Sequence, residues 1–356
     1  MRIRGALLAA AVVSAPSAPA PAGEPASLLF RLADSRLTEL SGLAVGHRSP
    51  SVLYAQNDSG DSARFFALDR ATGAVRAVCT VPGATNVDWE DLATGPDAAG
   101  VPSVWLADLG DNGGTRAEVR IYRVDEPAIG SAAAVTTGPP DVWRLRYPDG
   151  PHDAESLVAD PVRHRLYVIT KALLGRSEVF AVPAAPAAGR VQAMTRVGTV
   201  RFGFTGTPGG PNVVGQLTAT GAGVSADGSV LAVRTYTDAY LWPVSGGDVA
   251  GALRATPTRV PLPAQPQGEG IAVAGDALLI DSEGLGSAVY RVPLPSLRRP
   301  GASAPPPVSR TPVVTAENSA QRPAGRTNGV ALLAGGAGVV LLAGALALGR
   351  RRRRAR

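Results

Sequence analysis

Between Ala26 and Pro295 the chain falls into short runs rich in Val, Leu, Tyr, Phe and Trp, separated by clusters of Gly, Pro, Asp and Asn. No stretch there places apolar residues at helical spacing, and short apolar runs bounded by turn residues are the pattern of an all-β chain. Aligned on one another, the runs repeat. A leading segment recurs as Ser41-Gly42-Leu43-Ala44, Glu90-Asp91-Leu92-Ala93, Glu155-Ser156-Leu157-Val158, Thr220-Gly221-Ala222-Gly223 and Glu269-Gly270-Ile271-Ala272, at intervals of 49, 65, 65 and 49 residues. Each leads through a turn into an apolar run ending in polar residues: Val52 to Asp58, Val104 to Asp111, Leu166 to Lys171, Leu231 to Tyr236 and Leu278 to Glu283. Third runs follow at Arg64 to Asp69, Glu118 to Val124, Glu178 to Val182, Ala239 to Val244 and Ala288 to Val292. The first four units add a fourth, at Ala74 to Val81, Asp141 to Tyr147, Arg190 to Phe202 and Thr258 to Leu262.

The fifth unit lacks its fourth run, while Ser27 to Arg31 is an extra run ahead of the first unit. Completing the last unit with this N-terminal strand closes a ring without an exposed seam, the arrangement of a β-propeller. The expected fold is therefore all-β, a β-propeller of five four-stranded blades of about 54 residues each; six shorter blades, one degenerate, fit the length as well. Runs such as Val104-Trp105-Leu106-Ala107 and Ala277-Leu278-Leu279-Ile280 are apolar throughout, as expected of strands packed on both faces. The absence of a Gly-His to Trp-Asp signature argues against a true WD40 array.

The two ends read differently. Arg2 and Arg4 precede an apolar run from Ala6 to Val13, too short to span a bilayer, and Ala18, Ala20 and Ala22 offer the small-residue spacing of a signal peptidase site. Val330 to Leu348 carries no charge and is followed by Arg350, Arg351, Arg352, Arg353, Arg354 and Arg356, the pattern of one membrane-spanning helix with a cytoplasmic basic end. No LPxTG-like sorting signal precedes it. The expected organisation is a signal peptide at 1–22, a β-propeller ectodomain at 23–296, a Pro/Ala/Ser-rich stalk at 297–329, a transmembrane helix at 330–349 and a cytoplasmic arginine tail at 350–356. Such a protein lies in the cell membrane with its ectodomain outside.

Charge then changes meaning. Six tail arginines and two in the first four residues exceed the whole formal charge of +6, leaving about −2 on the remainder. The basicity marks an anchor, and no basic stripe suggests a nucleic-acid partner. Cys79 is the only cysteine, so neither an internal disulfide nor a thiolate metal cluster can form.

In a blade whose first two strands form a hairpin, the start of the first and the end of the second lie on one face, around one mouth of the central channel. Two polar sets meet there. The inner ring is Ser41, Glu90, Glu155, Thr220 and Glu269. Three carboxylates facing a narrow axis repel unless a cation sits among them, and calcium accepts six to eight oxygens in loose geometry. The expectation is a central calcium-like ion; the alternative is that each side chain bonds a neighbouring blade's main chain and fixes the ring. The outer ring contains Asn57, Asp58, Asp61, Asp108, Asp111, Asn112, Lys171, Arg234, Tyr236, Asp281 and Glu283. The sequences Asn57-Asp58-Ser59-Gly60 and Asp108-Leu109-Gly110-Asp111-Asn112 read as Asx-rich turns or as oxygen clusters for a second calcium. Lys171, the only lysine, either grips a phosphate or carboxylate together with Arg234 or pairs with a ring carboxylate.

His152 and Asp153 offer an acid-base pair at the same mouth, whereas His47 and His164 fall in turns of the opposite face. The Gly-rich segment Gly203 to Gln216 crosses the mouth as a flap or a plain connector. No Gly-x-Ser-x-Gly elbow, Walker loop or His-Glu-x-x-His is present.

The motifs Glu-Leu-Ser-Gly-Leu-Ala at 39 to 44, Asn-Asp-Ser-Gly at 57 to 60, Asp-Trp-Glu-Asp-Leu-Ala at 88 to 93, Asp-Leu-Gly-Asp-Asn at 108 to 112 and Arg-Thr-Tyr-Thr-Asp-Ala-Tyr at 234 to 240 resemble a family of secreted, propeller-like proteins of high-GC Gram-positive bacteria, which implies no settled activity. The ring of Ser41, Glu90, Glu155 and Glu269 also resembles the inner ring of five-bladed calcium-activated nucleotidases, a likeness that implies a central calcium at those positions; Thr220 departs from the serine expected, and the nucleotidase substrate residues have no match. Two functions follow as expectations: a cell-surface propeller binding an extracellular ligand or protein partner around calcium, or a calcium-dependent extracellular hydrolase of phosphate esters or anhydrides.

Overall fold

The apolar runs become strands almost residue for residue. In the computed structural model, which describes residues 25–297, 22 strands form five sheets. The first blade contains β2 (Leu40–Val45), β3 (Val52–Asn57), β4 (Arg64–Asp69) and β5 (Val75–Thr80). The second has β6 (Trp89–Pro96), β7 (Pro102–Asp108), β8 (Val119–Asp125) and β10 (Asp141–Arg146). The third has β11 (Ala154–Asp160), β12 (Arg165–Thr170), β13 (Arg176–Ala181) and β15 (Thr195–Arg201). The fourth has β16 (Ala219–Val224), β17 (Val230–Thr235), β18 (Asp238–Pro243) and β19 (Thr258–Pro261). The fifth has β20 (Ile271–Ala274), β21 (Ala277–Ile280) and β22 (Ala288–Pro293), completed by β1 (Ser27–Arg31), which pairs antiparallel with β22. The chain is a five-bladed β-propeller whose N-terminal strand closes the last blade.

Burial falls from the axis outward. All of β3 and β11 is buried, whereas the outer strands β5 and β10 alternate between buried and half-buried positions and are exposed only at strand ends. Five apolar clusters lie between neighbouring blades; Trp105 and Trp143 of the second blade, with ring centroids 5.3 Å apart, join the cluster that also holds Leu157 and Phe180 of the third. The cluster between the fifth and first blades holds Phe30 from β1, so closure by the N-terminal strand is a packing contact as well as a hydrogen-bonded one.

Two short strands were not foreseen. β9 (Ala134–Thr136), from the excursion between β8 and β10, adds parallel to β5 on the outer edge of the first blade. Likewise β14 (Val191–Ala193), from the excursion between β13 and β15, adds parallel to β10 of the second. The single run expected from Arg190 to Phe202 is thus two strands serving two blades. The expected signal peptide, transmembrane helix and arginine tail lie outside the described residues, as does the stalk apart from Leu297. Among the described residues no helix is long and apolar enough to cross a membrane.

Candidate functional site

The site is built by a recurrent irregularity. In blade one Leu40 faces Asn57 and Gly42 faces Gln56, so Ser41 is left over as a bulge; Glu90, Glu155 and Thr220 are left over in the same way in the next three blades. A bulge re-aims a side chain that the pleat would otherwise direct out of one sheet face. Glu269 lies just ahead of β20 and completes the ring.

The hydroxyls of this ring join blades. Ser41 Oγ donates to the Glu90 carbonyl at 2.5 Å, and Thr220 Oγ1 donates to the Gly268 carbonyl at 3.0 Å. The three glutamates are at most 4 % exposed. Lys171, just beyond β12, forms an ion pair with Glu155 through Oε1, and its Nζ lies 5.6 Å from the ring centroid of Tyr236 on the fourth blade. Burial alone would pull the Lys171 ammonium down; the charges of Glu155, Tyr236 and Glu269 outweigh it and hold its pKa above the ordinary lysine value. Glu155 Oε2 and Glu269 Oε2 are buried with no hydrogen-bond partner among the described residues. Burial, and next to it the Glu155 charge, pushes Glu90 and Glu269 well above the usual carboxylate range.

Acidic density is greatest beside Glu90. Oxygens of Asp58, Asp88 and Glu90 lie within 4.8 Å of one another, as do those of Glu39, Asp58 and Glu283. Burial and the adjacent Asp58 carboxyl push Asp88 up to about 7. Among the described residues no lysine or arginine is paired with Asp58, Asp88 or Glu90. Gly110 faces this cluster: a Cβ there would collide with Glu90 Oε1 and Asp88 Oδ2, so the missing side chain leaves the oxygens room.

Much of the expected outer ring is committed to local structure. Asn57 Nδ2 donates to the Arg36 carbonyl at 2.7 Å and to Asp61 Oδ2 at 2.8 Å. Asp61 also pairs with Arg64. Asp111 accepts the amides of Thr115 and Arg116, closing a turn, while Asp108 accepts the Asp88 amide and pairs with Arg116 at 2.9 Å. Asn112 is exposed in the same turn. Arg234 is wholly buried; its guanidinium donates to the carbonyls of Gly270 and Asp281, both at 2.8 Å, and to Gln265 Oε1 at 2.6 Å. It therefore cannot share a phosphate with Lys171 without losing these bonds. Asp281 is buried beside it and accepts the Gly270 amide, Tyr236 packs under Gly210 and Gly215, and Glu283 is half-buried at the rim.

Of the acid-base candidates, His152 bonds Asp149 at 2.9 Å and packs edge-on against Tyr147, while Asp153 accepts the Asp111 amide. The segment Gly203 to Gln216 is tied down, not a free flap: Gln216 Oε1 accepts the amides of Thr205 and Gly206, and Asp238 accepts the hydroxyls of Thr205 and Thr207.

Sequence reasoning missed Asp88 and Asp91. Asp91 follows the bulge at a position held by Gly42, Ser156, Gly221 and Gly270 in the other blades. It accepts the amide of Leu92 at 2.8 Å, of Leu157 on blade three at 2.7 Å and of Ala222 on blade four at 3.2 Å. One carboxylate thus satisfies inner-edge amides that no strand covers, and closes the channel behind the acidic mouth. The lone acid in a column of small residues is the signal that could have found it.

No protein-family model and no curated protein matches the sequence. Among solved structures, the soluble aldose sugar dehydrogenase from Escherichia coli in its apo form shares 12% identity over 75% of this chain and 98% of that one, with a TM-score of 0.42. A glucose dehydrogenase shares 11% over 76% and 100%, with a TM-score of 0.41. The Swd1 β-propeller domain of Myceliophteria thermophila shares 12% over 75% and 99%, with a TM-score of 0.37. Likenesses of this size carry nothing about activity.

Proposed function

We propose that this propeller is a binding module that takes a divalent cation of the calcium type at its acidic mouth and, around that cation, an extracellular ligand or protein partner. The observation that carries the reading is the convergence of Asp58, Asp88 and Glu90 oxygens within 4.8 Å without a paired lysine or arginine among the described residues. All-oxygen donors in loose geometry suit calcium. Lys171 pairs with Glu155 on the third blade and its charge also reaches Glu90, but it pairs with none of Asp58, Asp88 and Glu90. Apolar side chains around the same face support a partner with apolar contacts: Val87, Leu173, Leu174, Phe204, Val213 and Leu285 are all more than half exposed. In this reading the C-terminal span at 330–349 displays the module outside the cell; protease treatment of intact expressing cells removes the propeller if so.

The deciding experiment is thermal and urea unfolding of the protein in EDTA and in calcium. A hundredfold excess of calcium over Kd stabilises by about 2.7 kcal/mol, and Glu90→Gln is expected to diminish that gain. An identical unfolding curve in EDTA and calcium removes the cation from the reading. Turnover of nucleoside di- or triphosphates in the same samples would replace the binding module with the hydrolase.

A further inference from the structure

The channel has a second compartment. Behind the Asp91 carboxylate and its three amide partners, the inner strands of all five blades enclose a cavity of about 290 Å³ that opens on the face opposite the acidic mouth. Val45, Leu92, Ala159, Val224 and Val273, one from each blade, represent its wall. Small residues keep it open: Ala44, Ala93, Gly223 and Ala272 also line it, where larger side chains would meet across the axis.

The titratable side chains lining this funnel are His47 and Arg70, both half-buried. Neither makes a side-chain hydrogen bond or ion pair among the described residues. Of the acids adjoining the rim, Asp69 accepts from Thr72, Asp160 Oδ1 from Val162 and Asp227 from Ser229 in their own turns, and Glu126, whose Oε1 lies against Gly46 of the lining, accepts the Arg48 amide at 2.6 Å. The polar hydroxyls of the lining are likewise satisfied, Thr94 donating to the Val45 carbonyl at 2.6 Å and Ser225 to Asp227 at 2.6 Å. An apolar wall with a few convergent polar groups is the usual build of a small-molecule pocket. Here those groups are a permanent cation and an imidazole, and the fixed positive charge of Arg70 favours an anion.

We propose that the funnel binds a small amphiphilic carboxylic acid, its aliphatic or aromatic body against the five inner strands and its carboxylate at Arg70 and His47. At roughly 30 Å³ per small heavy group, the space corresponds to a body of about ten heavy atoms. The site is separate from the acidic mouth, and its occupancy does not depend on the cation there.

The test is calorimetric titration of the full-length protein with phenylpropanoate, phenylpropanol and phenylpropylamine, which share one apolar body and differ in the head group. The acid is expected to bind at least about tenfold more tightly than the alcohol, the gain of one charge-assisted hydrogen bond, and the amine most weakly, equally in EDTA and in calcium. Arg70→Ala should remove the preference for acid over alcohol. Ala226→Trp, at the exposed lip of the funnel, should weaken both while leaving the melting temperature in place. Equal affinities for the three compounds, an acid preference that survives Arg70→Ala, or no binding of any of them at millimolar concentration each overturns the proposal.

Discussion

Asp91, on the second blade, accepts the main-chain amide of Ala222 on the fourth, 131 residues further along the chain. With Leu92 and Leu157 as its other donors, it ties three blades together at one carboxylate. Burial drives this carboxyl well above the ordinary range while the three amides pull against it. Asp91→Ala leaves the amides without acceptors inside the channel, at about 1–3 kcal/mol for each unsatisfied group. The expected loss in urea unfolding is about 3 kcal/mol or more; Asp91→Asn, which keeps an acceptor oxygen, is expected to lose less. Equal losses for the two would show that the amides find other partners.

Lys171 is the resident cation of the mouth. Lys171→Met strands the buried Glu155 carboxylate, and breaking a buried pair from one side costs about 3–5 kcal/mol. In EDTA the variant is expected to be less stable by that order, and the calcium-dependent gain should exceed that of the wild type, because the ammonium no longer repels the ion. A calcium response unchanged by Lys171→Met would separate Lys171 from the cation site.

Asp281 supplies a pH dependence on the far side of the ring. Burial pushes its carboxyl up to about 7, partly opposed by Arg234. The folded value lies above the unfolded one, so the native state holds the proton longer; this contribution is complete below about pH 4 and is lost as pH rises through about 7. Melting temperature is expected to fall over that window, and Asp281→Asn should make the fall shallower, leaving the part due to Asp88 and the other raised carboxyls. An unaltered pH profile in Asp281→Asn would assign the slope to other groups.

Gly73 tests the closure of the ring. It has a φ of +74°, and a Cβ there would press into the Phe30 ring of β1. Gly73→Ala combines a disfavoured backbone with overpacking, about 2–4 kcal/mol together. Chemical denaturation measures the loss; Gly83→Ala, where φ is +81° and the space is open, isolates the backbone part.

The blade count and the closing strand were legible because both depend on repetition: Ser27–Arg31 is visible as a strand without a partner, and the fifth unit as one without a fourth strand. The ring of Ser41, Glu90, Glu155, Thr220 and Glu269 was legible for the same reason. What the ring does was not. Whether Ser41 donates to a carbonyl or faces an ion depends on the rotation between blades, and no local pattern encodes that. β9 and β14 were invisible because three residues, Ala134–Thr136 or Val191–Ala193, carry no periodicity, and their parallel partners lie in another repeat. His47 reads from the sequence as a turn residue; only the assembled funnel shows it lining the same cavity as Arg70, contributed by a different loop.

The parallel additions of β9 and β14 leave the circumference uneven. The first two blades carry a neighbour's segment over their outermost strands, whereas the third, fourth and fifth end in β15, β19 and β1. Of these, β15 bears Arg196 and Arg201, and β19 bears Arg259 and Pro261, the kinds of residue that discourage strand addition. β1 reads Ser-Leu-Leu-Phe-Arg, has no charge before its last residue, and leaves Leu28 49% exposed. Among the described residues, the outer strand least protected against sheet extension is therefore β1, the strand that also holds the wheel shut.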